Sequence, residues 1–471
     1  MNLQPANQDF KKHLSTLFPD RIFKCVEPRY LEEPRAQWIG RGGILALPET
    51  TKHVSELLKA ANSFSVGVVP YGGGTGLVGG QTFPNEPSPL IISLERMSSI
   101  RKIFPHENVL IAEAGTILAN IQSAATKEGR LFPLSLAAEG SARIGGNLAT
   151  NAGGINVLRY GTARDLCIGL EAVLPDGSIW NGLSRLRKDN TGYDLKNLLI
   201  GSEGTLGIIT AAALKLYPEP CTYGTAFLKV ESPEAALGLL SLARSQVGEA
   251  INAFELINEQ GFHFLKETLP NVRQPFEKVP EWAVLVELGL GPNIDGQIAL
   301  ENIFESALEQ GLLSGGLIAQ SEGQRQEFWS VREHIPEANR LIGSISSHDI
   351  SLPLSVVPKF ISKANSLMKT IGSFRINCFG HLGDGNLHYN VFPMPTKTPT
   401  DHLNEREKVK RSLHDLVYEM DGSVSAEHGI GRLKVADLER YADPVKISTM
   451  RHIKSILDPK GIMNPGAVLR Q

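Results

Sequence analysis

From residue 50 onward the apolar positions switch between two spacings. Val54, Leu57, Leu58 and Ala61 recur at helical intervals behind Thr51, a residue type that caps helices. An apolar run at 66–69 then reads as a strand, as do 90–94 and 109–114. Ile117, Ile121 and Ala124 return to helical spacing, with Gly129 placed to end that helix. A strand at 170–174 runs into the turn Pro175-Asp176-Gly177. Past Tyr217-Pro218-Glu219-Pro220 the texture changes. Glycine clusters stop, and strands at 227–230 and 282–290 alternate with amphipathic helices such as the one carrying Val357, Phe360, Ile361, Ala364, Leu367 and Met368. The pattern predicts a domain boundary near Pro218.

Composition narrows the class. A chain of 471 residues exceeds what one hydrophobic core usually organises, and 42% apolar against 21% charged residues excludes a disordered chain. The net charge is −3, with no run of five basic residues, so neither a nucleic-acid groove nor a polybasic membrane patch is indicated. Cys25, Cys167, Cys221 and Cys378 are too scattered for a disulfide framework or an iron–sulfur cluster. The first 18 residues carry polar groups where a signal peptide needs an apolar stretch, and the longest apolar runs fall short of a bilayer span. The expected location is cytoplasmic. Peripheral membrane contact and a homodimer stay open.

Three glycine-rich loops carry the first chemistry. Tyr71-Gly72-Gly73-Gly74-Thr75-Gly76-Leu77 follows a strand, which suits backbone N–H groups cradling a pyrophosphate. It is neither a Walker A loop nor a Rossmann fingerprint. The second runs from Gly140 through Gly145, Gly146, Asn147, Thr150, Asn151, Gly153 and Gly154 to Tyr160 and Gly161. Its Asn and Thr side chains can bond the edge of a ring system. The third holds Glu203, Gly207, Ile208 and Ile209. Three such loops suggest one extended ligand lying across the domain.

In the second half, His381 and His388 flank a Gly/Asp/Asn turn, and paired strands on either side would let the two imidazoles converge. Glu427 and His428 lie downstream between glycines. Two His and a carboxylate suit Zn²⁺, and Mn²⁺ or Fe²⁺ accept the same donors. A polar hairpin without metal is the alternative from spacing alone.

PYGGGTGLVGG, IGGNLATNAGG and GSEGTLGIIT resemble the FAD-binding domain of the vanillyl-alcohol-oxidase/p-cresol-methylhydroxylase (VAO/PCMH) type. GHLGDGNLHYN and AEHGIGR resemble the C-terminal domain of FAD-linked oxidases, especially the D-2-hydroxyglutarate and D-lactate dehydrogenase-like members. The resemblance implies an α+β fold: an N-terminal helical segment (1–36), a PCMH-type FAD domain (37–217), an α+β, ferredoxin-like substrate domain (218–457) and a tail (458–471) returning to the flavin through Asn464. It implies a pyrophosphate on Gly72–Gly76 and the isoalloxazine near 146–154 and 207–209. No histidine lies between His53 and His106, so the FAD is expected to be non-covalent. Carried over, His381, His388 and Glu427 are metal ligands, His428 is the base, and Asn390 and Arg332 reach the substrate. Of the remaining histidines, His13, His53, His106, His263, His402, His414 and His452 read as surface or satisfied residues.

The implied activity is oxidation of a D-2-hydroxy acid, D-2-hydroxyglutarate, D-lactate or similar, to the 2-oxo acid, with a metal orienting the hydroxyl, His428 as base and hydride transfer to flavin N5. D-2-hydroxyglutarate dehydrogenases place a lysine shortly before the Asp-Ile/Leu-Ser run, where this chain has Ser347 and His348, and some relatives have a threonine where Pro336 stands, which predicts that D-lactate competes well. An oxygen-using flavin oxidase and an FAD subunit of a glycolate-oxidase-like complex are the alternatives. A metallohydrolase leaves the glycine loops unexplained. No second redox centre is visible, so the electron acceptor is external: a quinone, an electron-transfer flavoprotein or a partner subunit.

Overall fold

The computed structural model describes residues 3–470; Met1, Asn2 and Gln471, end points of the expected terminal segments, lie outside the described residues. The chain forms two compact units, one of residues 1–154, 161–219 and 427–471, the other of 155–160 and 220–426.

The first unit opens with a four-stranded sheet of β1 (Phe23–Lys24), β2 (Ile44–Ala46), β3 (Val68–Tyr71) and β4 (Leu90–Ser93), in the order β1-β2-β4-β3. β2 and β3 run parallel to β4, and β1 is antiparallel to β2. The segment before residue 37 is therefore woven into this sheet. Thr50, one residue before the expected cap, accepts the His53 N–H, while the Thr51 hydroxyl donates to Glu171. The expected strand at 66–69 forms at Val68–Tyr71, Val66 making only an isolated bridge with Gln4. A second, five-stranded sheet holds β5 (Ile100–Phe104), β6 (Val109–Glu113), β8 (Cys167–Val173), β9 (Ile179–Gly182) and β10 (Ile208–Lys215), in the order β5-β6-β10-β8-β9. A small ribbon pairs β7 (Arg130–Leu131) with β11 (Tyr217–Pro218).

The return to the first unit begins at Glu427, ahead of the tail expected from 458. Several bonds tie it down. Glu203 accepts from the N–H groups of Ile430 and Gly431, Arg432 donates to the carbonyls of Gly79 and Gly80, and Met463 bridges Val68. Residues 155–160, including Tyr160, belong to the second unit.

The second unit is built on a seven-stranded antiparallel sheet of β12 (Thr222–Val230), β13 (Ile251–Asn258), β14 (Trp282–Leu290), β15 (Gly315–Ile318), β16 (Ser346–Ser351), β17 (Arg375–His381) and β18 (Asn386–Phe392). The order is β15-β12-β14-β13-β17-β18-β16. Every second residue of the central strands faces the helices Glu259–Thr268 and Glu322–Ile342. There Phe227, Phe262, Phe264, Phe328, Trp329, Ile335, Phe379 and Phe392 make an aromatic-rich core. Trp329 and Arg325 are held by the same buried acid, Glu287. Pro336 sits inside the Glu322–Ile342 helix and cannot donate to the carbonyl of Arg332 one turn earlier. No helix among the described residues is long and apolar enough to cross a membrane.

Candidate active site

In the first unit the chain leaves β3 at Tyr71 into the loop 72–76, which forms one wall of a cleft. Opposite it stand Gly145, Gly146, Asn147 and Thr150; Glu203, Gly207, Ile208, Ile209 and Asn464 complete the lining, with His428 opening into it. The glycines are there for two different reasons. A side chain at Gly73 would strike the Ser141 carbonyl at 2.4 Å, so this glycine lets two loops close on each other. A Cβ on Gly146 would meet nothing within 4 Å; its face is open to the cleft. The Oδ1 of Asn147 is buried in this wall with no hydrogen-bond partner among the described residues, an acceptor that a ring N–H would satisfy. A glycine-rich, anion-tolerant cleft with one orphaned acceptor fits a flavin dinucleotide.

Several expected residues lie outside this wall. Leu77, Gly140, Asn151, Gly153, Gly154 and Gly161 are not in the cleft wall. Asn151 accepts from the Arg164 N–H. Gly154, at φ +110°, donates its N–H to Glu427 Oε1 at 2.7 Å, and a side chain on Gly153 would collide with the same carboxylate. These two glycines shape the seat of Glu427.

Glu203 is likewise engaged with protein. Its Oε1 accepts from Ile430 N and its Oε2 from Gly431 N, each at 2.7 Å, clamping the turn that follows His428. Burial pushes its carboxyl up, opposed by those N–H groups and by Arg432. Asn464 donates to the carbonyls of Gly80 and Glu203 and accepts from Arg432, so it braces the cleft rim. Burial lowers the Arg432 pKa to about 10.

Arg143, which the sequence did not single out, is a guanidinium in the cleft wall; burial lowers its pKa, and it donates to the Gly115 carbonyl. Its only signal was a lone cation inside a glycine-rich loop.

In the second unit the β17–β18 hairpin forms, with Phe379 opposite His388, and the imidazoles of His381 and His388 come to a centroid separation of 5.7 Å. His388 Nδ1 lies 3.9 Å from Asp349, which pairs with it across β16 and accepts from Asn386. His381 Nδ1 is 2.6 Å from Oε1 of Glu255 on β13, and Oε2 of the same acid takes Arg332 Nε at 2.6 Å. Burial would raise the Glu255 pKa, but Arg332 and His381 overcome it and hold the acid ionised, at about 2. Arg332 is buried, stacked 4.9 Å over Phe379, and among the described residues its Nη atoms take no hydrogen bond. It is therefore no helix-surface ion pair. Asn390 uses Oδ1 to accept from His348 N, leaving its amide donors toward the same face. Ser347 pairs with Asn390 in register and is exposed.

Of the histidines expected to be surface or satisfied residues, His402 and His414 are buried. His414 shares a 3.1 Å hydrogen bond with His348, which β-alternation turns away from the Asp349–His388 face. His402 packs edge-on against Phe374. The sequence passed over Glu255; its signal was one acid in the otherwise apolar strand INAFELIN.

Residues 220–468 match the family model of the FAD linked oxidases, C-terminal domain, and 43–182 match an FAD binding domain. Among curated relatives, the mitochondrial D-2-hydroxyglutarate dehydrogenase of Arabidopsis thaliana is 36% identical over 93% of this chain and 78% of its own. The D-2-hydroxyglutarate dehydrogenase of Xanthomonas citri pv. viticola is 35% identical over 94% of this chain and 93% of its own. Among solved structures, p-cresol methylhydroxylase with substrate bound superposes with a TM-score of 0.78 at 15% identity, covering 100% of this chain and 99% of that one. An alkyldihydroxyacetonephosphate synthase gives a TM-score of 0.73 at 17% identity, over 99% of this chain and 86% of that one. Those two likenesses show the VAO/PCMH-type α+β fold.

Proposed function

The chain belongs to the FAD-linked oxidase family and binds FAD, and on that premise we propose that it oxidises a D-2-hydroxy acid to the 2-oxo acid. The observation that carries the reading is one face of one sheet. It gathers two converging imidazoles, a buried guanidinium with unused Nη atoms, and an asparagine amide. A 2-hydroxy acid presents the matching groups: a carboxylate beside a hydroxyl.

When bound, FAD accepts the hydride from Cα, and a divalent metal withdraws electron density from the hydroxyl oxygen. His381, His388 and Glu427 would hold that metal, a nitrogen-and-oxygen donor set that suits Zn²⁺ and also Mn²⁺ or Fe²⁺. Arg332 presents its paired Nη atoms to the substrate carboxylate, where a planar fork binds better than a point charge. Asn390 donates to a substrate oxygen. His428, opening into the flavin cleft, takes the hydroxyl proton on a ring nitrogen, a role typically worth about 10²–10⁴-fold. Gly72–Gly76 offer N–H groups to the pyrophosphate, and Asn147 Oδ1 accepts from the ring edge. The first glycine-rich loop has no histidine, none occurring in the sequence between His53 and His106, which supports FAD held non-covalently. The electrons leave to an external acceptor.

Metal removal tests this reading. Exhaustive chelation, verified by elemental analysis, should abolish turnover, and one equivalent of Zn²⁺ or Mn²⁺ should restore it. Full activity in metal-free protein would overturn the metal's part.

A further inference from the structure

Glu255 has no role in the chemistry above, yet it is the most completely enclosed ionised group of the second unit. Its side chain is 0% exposed. β13 pairs with β17 in the register Glu255↔His381, so the two side chains emerge side by side on the helix-covered face. Arg332 reaches the same point from the helix Glu322–Ile342. Both carboxylate oxygens are used at 2.6 Å, one by each partner.

The donor bookkeeping has a consequence for each partner. An ionised carboxylate can only accept, so His381 must carry its proton on Nδ1, and its lone pair is left on Nε2. Arg332 is held through Nε alone, which fixes the guanidinium plane and leaves the two Nη donors directed elsewhere. Phe379 supports that plane from below. One acid thus sets the tautomer of one imidazole and the orientation of one guanidinium.

We propose that Glu255 is a positioning residue that couples the metal-binding histidine to the carboxylate-binding arginine, so that neither can be perturbed without the other. The proposal rests on the function proposed above, in which His381 is a ligand and Arg332 binds substrate. Carboxylates behind ligating histidines typically contribute 10–100-fold in metal affinity.

The test uses the FAD-loaded full chain. Retention of Zn²⁺ and, separately, Mn²⁺ is titrated against a chromophoric chelator, and KM and kcat for a D-2-hydroxy acid are measured in parallel. Glu255→Gln keeps the shape but offers one acceptor to two donors. It should weaken metal retention by about 10–100-fold and raise KM at least tenfold, with FAD content unchanged. Because that variant alters a buried charge, Arg332→Lys supplies an independent arm. Arg332 is no metal ligand, so the coupling predicts that this change also weakens metal retention several-fold. Wild-type metal retention in Arg332→Lys, or in a folded Glu255→Gln, would overturn the proposal. A wild-type protein that holds no metal would instead overturn the underlying reading, and the coupling with it.

Discussion

Glu203 is the residue whose role changed most between sequence and structure, and Glu203→Gln isolates that role. The carboxylate accepts two backbone N–H groups at 2.7 Å, one on each oxygen, from Ile430 and Gly431. An amide keeps one acceptor and turns its NH₂ toward the other N–H, so one charge-assisted bond is lost. That costs about 1.5–3 kcal/mol. Ile430 lies two residues past His428, so the slack falls on the turn that carries the base. If the whole loss appears in proton-transfer geometry, flavin reduction slows by roughly 10- to 150-fold.

Anaerobic stopped-flow reduction at saturating substrate measures this, alongside FAD per chain and melting temperature. FAD content should stay at the wild-type level, because both oxygens point at protein. Reduction at the wild-type rate would refute the clamp. Loss of FAD with an unchanged rate per remaining flavin would return Glu203 to cofactor binding.

Two further outcomes follow from the same geometry. Burial would raise the Glu171 pKa, but bonds from Arg101, Thr51 and Thr210 outweigh it and hold the acid below its usual 4.5. A depressed acid stabilises the fold fully above the unfolded-state value and loses that contribution as pH falls through the folded-state one. Glu171→Gln should therefore lower the melting temperature near neutrality and flatten its decline below about pH 4.5, and parallel wild-type and variant curves would count against it. Ser347 stands exposed beside Asn390 where a lysine would add a cation, so Ser347→Lys should raise the kcat/KM ratio of D-2-hydroxyglutarate to D-lactate by roughly 10- to 150-fold; an unchanged ratio, or a wild type already favouring D-2-hydroxyglutarate a hundredfold, contradicts this.

What the sequence made legible was local. The strand–glycine–loop grammar located the cleft residues 71–76, 145–147, Thr150 and 207–209, and the turn between two apolar runs located the His381–His388 hairpin. Long-range pairings escaped it. Glu255 meets His381 only because β13 and β17 are neighbours, strands far apart in the chain. Nothing local says that Gly153 and Gly154 shape the seat of Glu427 and not the cleft wall. The return of the chain at Glu427 also depends on partners more than two hundred residues earlier, in Glu203 and Gly154. Which of the surface or satisfied histidines are buried was equally out of reach: the burial of His402 and His414 is a property of the packed helix Leu403–Glu419 and its neighbours.

The central claim is that this flavoprotein takes a hydride from the Cα of a D-2-hydroxy acid. The direct measurement is anaerobic mixing of the metal- and FAD-loaded protein with matched D and L isomers of lactate and 2-hydroxyglutarate, following the flavin absorbance. At least one D acid should bleach the flavin and yield one equivalent of 2-oxo acid, while its L isomer leaves the spectrum unchanged. Bleaching by L isomers at equal rates, or none by any acid in loaded protein, would contradict the account.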